Sequence, residues 1–160
     1  MPEEPIDVPE LNLVAAALKE RFGESIPETV YAKKELSFMV RTPDLPAVLE
    51  YLKAEHGFNA LNDMIGLHHP AAPGGPPARF AVLYQLYRFP GAVRVRVVAE
   101  VGEGETLPSV TSLYPSACWA EREIFDMFGI RFAGHPDLRR IYLPDEFEGH
   151  PLRKDFPLEG

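Results

Sequence analysis

One cysteine, no apolar run of membrane-spanning length and no basic excess limit what this chain of 160 residues can do. With Cys118 alone, no disulfide can close within the chain, which suits a reducing compartment. An iron–sulfur cluster normally takes four thiolates, so this chain cannot supply a full ligand set. Sixteen basic against 24 acidic residues leave a net charge of −8, which argues against a general nucleic-acid binder. No apolar stretch approaches the roughly 18 residues that mark a spanning helix. The opening "MPEEPIDVPE" is acidic and proline-rich, without the basic start of a secretory signal. The nucleophile elbow Gly-x-Ser-x-Gly is missing. In "VGEGETL" Leu107 stands where the third glycine of a dinucleotide loop would fall.

What is present fits one soluble domain, with 46% hydrophobic and 25% charged residues. Helical spacing of Leu11, Val14, Ala15, Leu18 and Phe22 predicts a first helix within 8–24, stopped at Gly23. Residues 29–42 read as two short strands around Lys33–Glu35. A second helix spans 44–57, with Asp44 as its expected cap and Gly57 as its end. Three strands follow at 58–68, 79–89 and 93–101. The proline-rich "HPAAPGGPPA" separates the first two, and a hairpin at Pro90–Gly91 joins the last two. Val93, Val95 and Val97 alternate with Arg94 and Arg96, so one face of that strand is expected to be buried and the other wet. A third helix spans 116–129, capped by Ser116. The expected fold is α+β: a mixed, mostly antiparallel sheet with helices on one face, in the order α-β-β-α-β-β-β-α. Residues 1–129 form the domain, and 130–160 form an extended C-terminal segment.

The chemistry-bearing residues gather late in the chain. On the third helix Ala117, Ala120, Ile124, Met127 and Phe128 share a face that packs on the sheet. Trp119 and Phe125 fall outside it, among Glu121, Arg122, Glu123 and Asp126. Such an outward surface of aromatic anchors and charges suits a protein interface. Beyond the helix, "GHPDLRR" (134–140) is echoed by "GHPLRKD" (149–155). His135, Asp137, His150 and Asp155 use the residue types of a zinc site, but no H-x-x-x-H spacing places two imidazoles on one helical face. Proline after each histidine also holds that histidine extended. His68 and His69 read as a solvent-exposed pair, and Cys118 as a packing residue. Arg139, Arg140, Arg153 and Lys154 alternate with acids in a stiff coil rich in large apolar groups, more than a solvated coil needs. The residue-level reading is an adaptor-like domain with a docking segment.

The run "EREIFDMFGIRFAGHPDLRRIYLPDEFEGHPLRKDFPLEG" (121–160) resembles the signature of the family of the 30 kDa subunit of respiratory complex I, known in bacteria as the C subunit. The Phe58–Gly66 strand and "VTSLYPSACWAERE" are compatible with it. This resemblance implies a cofactor-free peripheral-arm subunit of a proton-translocating NADH–quinone oxidoreductase, with no catalytic or metal-binding residues of its own. Flavin (FMN) and iron–sulfur clusters would belong to other subunits. Its partners would be the large quinone-site subunit of 49 kDa type and a small cluster-bearing subunit. It would reach the cytoplasmic face of the membrane only through them, and would meet no nucleic acid. The expected interface residues are Trp119, Glu121, Arg122, Phe125 and Asp126 on the helix. On the segment they are His135, Asp137, Arg139, Arg140, His150, Arg153, Lys154 and Asp155. Many family members continue past the position of Gly160. Two alternatives stay open: the equivalent subunit of a membrane-bound hydrogenase-type complex, and a free-standing metal-dependent enzyme.

Overall fold

The computed structural model describes residues 6–158. In chain order these form α1 (Pro9–Phe22), β1 (Glu28–Ala32), β2 (Glu35–Val40), α2 (Leu45–His56), β3 (Ala60–His69), β4 (Arg79–Arg88) and β5 (Val93–Gly102). Then come β6 (Thr106–Pro108), α3 (Ala117–Phe128) and β7 (Arg131–Ala133). The main sheet has the order β1-β2-β5-β4-β3, antiparallel throughout except for the β2–β5 pair. The expected α+β fold is the one observed.

Strand register shows why one face of the sheet is core. Phe38, Val97, Tyr84 and Met64 lie side by side across four strands, and all four are buried. Leu36, Val95 and Leu86 form the adjoining row, equally buried. Leu11, Val14 and Leu18 of α1 and Val48, Leu49 and Leu52 of α2 close over these rows in one cluster. Each such side chain contributes roughly 1.5–3 kcal/mol on burial. The opposite face carries Gln85, Arg94, Arg96 and Glu100, as the alternation in β5 predicts.

Turn chemistry sets the hairpins. Lys33 and Lys34 both adopt positive φ (51° and 64°), the twist that lets a two-residue connection join β1 to β2. Arg88 pairs with Val93 across Phe89–Ala92, so the β4–β5 link is four residues long. Two expected caps are corrected. Asp44 makes no side-chain cap bond, because the chain enters α2 through a 3-10 turn at Thr42–Asp44. Ser116 also leaves its helix uncapped and donates instead to the Leu61 carbonyl at 3.1 Å.

Two elements were not expected. β6 and β7 form a small parallel pair, Leu107 beside Phe132, which ties the entrance of α3 to its exit. α3 lies across β3 at Gly66, where an added Cβ would come within 2.7 Å of the Phe128 ring. Glycine is therefore what allows helix and strand to approach this closely.

Candidate functional site at α3 and the C-terminal segment

α3 hides charges that a hydrophobic stripe would turn outward. Glu121 and Asp126 are fully buried and Arg122 nearly so, which corrects their expected place among solvent-facing residues. Glu121 accepts a hydrogen bond from the Val110 backbone N–H at 2.7 Å and another from the Ser109 hydroxyl at 2.7 Å. Burial pushes its carboxyl above the ordinary value of 4.5, against the pull of those donors and of His135. The neighbouring Tyr84 phenol, wholly buried, is also raised, first by burial and then by Glu121.

Asp126 has the opposite fate. One of its oxygens receives the backbone N–H groups of Ile141, Tyr142 and Leu143 at 3.1, 2.8 and 3.1 Å. The other receives Arg140 Nη1 at 2.8 Å. Burial alone would raise this carboxyl, but the donors from Tyr142, Arg140, Leu143 and Ile141 outweigh it. Its pKa falls below the ordinary 3.8. Arg140 also donates to the carbonyls of Phe147 and Gly149, so a single guanidinium ties α3 to the 147–149 stretch. Arg122 donates to the carbonyls of Arg139 and Arg140, with its guanidinium against the Trp119 ring.

The two Gly-His-Pro repeats grip opposite ends of α3. Asp137 N–H donates to His135 Nδ1, so the proton lies on Nε2, which donates to the Cys118 carbonyl at 2.9 Å. His150 donates through Nδ1 to the Asp126 carbonyl at 2.9 Å. The last turn of a helix leaves carbonyls without partners. Here Leu152 N–H takes that of Met127 and Arg153 Nε that of Phe128, at 3.1 and 2.6 Å. Cationic side chains at this end also complement the helix dipole. Gly129 (φ +77°) makes the crossing possible, since a Cβ there would meet the His150 ring at 2.7 Å.

The remaining candidates divide between surface and strap. Trp119 is 64% exposed, as are Tyr142 at 65% and Leu152 at 55%. Phe125 is half-buried between Arg131 and His150. Asp137 and Arg139 pair with each other on the surface. Lys154 N–H donates to His68 Nδ1, and Asp155 lies 4.0 Å from the same nitrogen. His68 is thus not half of an exposed pair: it is buried and stacked on Phe80, while His69 is exposed. Sequence reasoning missed His68 and Ser109 as anchors. Among the described residues no three His, Cys, Asp or Glu side chains gather to hold a metal, so His135, Asp137, His150 and Asp155 are not brought into one ligand set.

A family model described as the respiratory-chain NADH dehydrogenase 30 kDa subunit matches residues 38–160, more than half of the chain. The chain belongs to that family. The C subunit of the NADH-quinone oxidoreductase from Geotalea uraniireducens is 41% identical over 155 residues, covering 96% of this chain and 92% of the relative. A second form of the C subunit, from Rhizobium etli, is 45% identical over 155 residues, covering 94% and 80%. The solved trypsin-resistant fragment (1–134) of Nqo5 is 34% identical, with a TM-score of 0.69 over 81% of this chain and 99% of the fragment. A chain of an archaeal membrane-bound sulfane sulfur reductase shares the fold at 22% identity and a TM-score of 0.75. Within the family region, no described helix is long and apolar enough to cross a membrane.

Proposed function

We propose that this chain is a cofactor-free subunit of the peripheral arm of a proton-translocating NADH–quinone oxidoreductase. It packs through α3 and residues 130–160 against the large quinone-site subunit and a small cluster-bearing subunit, at the cytoplasmic face of the membrane. The observation that carries the reading is the family match over residues 38–160. The construction of the site supports it. The buried charges of α3, Glu121, Arg122 and Asp126, are engaged by backbone groups of the chain itself. What they hold in place is an irregular surface with Trp119, Tyr142 and Leu152 outermost, the aromatic-rich composition of an interface core. A trypsin-resistant body in Nqo5 that matches 81% of this chain supports a division into a stable body and an appended remainder.

The test is purification of the tagged chain from detergent-solubilised membranes of its source, with partners identified by mass spectrometry. Stoichiometric recovery of a quinone-site subunit and a cluster-bearing subunit is expected, together with NADH–quinone activity. Recovery with hydrogenase-type subunits instead would assign the chain to that class of complex. A free chain carrying flavin, cluster absorption or stoichiometric zinc would overturn the cofactor-free role.

A further inference from the structure

The two edges of the main sheet are unequal. β1 is five residues long and turns at Lys33–Lys34, a short charged edge of the kind that discourages pairing. β3 is ten residues long and is the last strand on the other side. Past a bulge between Leu61 and Asp63 its sequence is "DMIGLHH", with Asp63 as the one carboxylate and no lysine or proline. Ile65 and Leu67 are 40% and 39% exposed. The Met64 N–H is taken by the Asp63 carboxylate at 2.9 Å, and beyond it no strand of the described residues pairs with this side of β3. A long edge that is mostly apolar past Asp63 invites another strand.

Beside this edge runs a groove of about 230 Å³. Asp63, Met64, Ile65 and Gly66 form one wall, four consecutive strand residues, so the groove lies against the backbone edge itself. Ile124, Met127, Phe128 and Leu152 form the other, with Glu123 at the rim. We infer that β3 accepts an extended segment of a neighbouring subunit as a sixth strand. Alternate apolar side chains of that segment enter the groove, and a lysine or arginine meets Asp63 and Glu123. Backbone bonds along the edge would supply affinity and the groove specificity. Charge selects the occupant: a second copy would bring another Asp63, another Glu123 and eight more net negative charges to the same place. The inference rests on the subunit role proposed above and names a contact within it.

Hydrogen exchange on the free chain and on the purified complex tests it. In the complex, the outward amides of residues 63–67 should exchange about a hundredfold more slowly than in the free chain, as paired strand amides do. The variant Ile65→Lys places a charge on the open face of β3 and should leave the free chain's melting temperature unchanged. In a cell expressing it, incorporation into the complex should fall and the edge should lose its added protection. If the wild-type chain joins the complex while residues 63–67 exchange equally fast in both states, this contact is wrong and the subunit role stands. If the wild-type chain joins no complex, both fail. A concentration-dependent dimer of the free chain with a protected β3 edge would give the site to a second copy and overturn the inference.

Discussion

The two ends of α3 use the same device to opposite effect. Near its start Glu121 is buried among neutral donors, a backbone N–H and a hydroxyl, and its carboxyl is pushed toward the protonated form. Near its end Asp126 is also sealed from solvent, yet three backbone N–H groups and a guanidinium keep it ionised. Glu121 lies deeper in the protein, so its depth together with the number and charge of the donors decides the outcome. The Glu121 end joins α3 to the 109–111 loop and the body. The Asp126 end shapes the strap that follows, and ionisation there is what allows one oxygen to gather three consecutive amides.

Removing the ionised end has the largest expected effect. Asp126→Ala takes the carboxylate from the Arg140 guanidinium and from three part-buried N–H groups, and breaking a buried pair in this way costs about 3–5 kcal/mol. Urea denaturation of the free chain measures that loss. Gly129→Ala attacks the same end by shape. Left-handed backbone costs about 1 kcal/mol and displacement of the His150 ring about 1–3 more, so roughly 2–4 in all. Gly66→Ala strikes the body side instead, where the new Cβ meets Phe128. It should lower stability by about 1–3 kcal/mol while leaving the strap's amide protection intact.

The smallest effect is a slope in pH. A carboxyl held below its ordinary value contributes stability above that value and loses it as pH falls through the folded pKa, which is the Asp126 case below 3.8. A carboxyl held above its ordinary value contributes most below 4.5 and loses that contribution as pH rises through its folded pKa, which is the Glu121 case. Stability measured against pH should therefore fall on both sides, and Glu121→Gln should flatten only the decline above 4.5. A decline unchanged by that substitution would place its origin elsewhere.

Much of the body was legible because its pattern is binary. Alternation in β5 and the stripe of α2 state which atoms leave water, and the observed strands and helices lie within a few residues of the expected ones. The boundaries of α3 were equally readable, from its stripe and from Gly129. Its buried charges were not, because periodicity assigns charged residues to solvent and says nothing of donors supplied by distant coil. A signal was there in principle: a coil from 134 to 156 with few strand or helix bonds must satisfy its backbone groups somewhere, and Arg122, Asp126 and Arg140 are the groups able to do so. The β6–β7 pair was invisible for another reason. Three-residue strands joined across 25 residues carry no local period.

The claim that α3's charged end gives the strap its shape is tested most directly by hydrogen exchange on Asp126→Asn beside the wild-type chain. This substitution keeps the side chain's size and removes its charge. The amides of Ile141, Tyr142 and Leu143 should lose protection, while those of β4 and β5 exchange as before. Unchanged protection at 141–143, or an equal loss across β4 and β5, would contradict it.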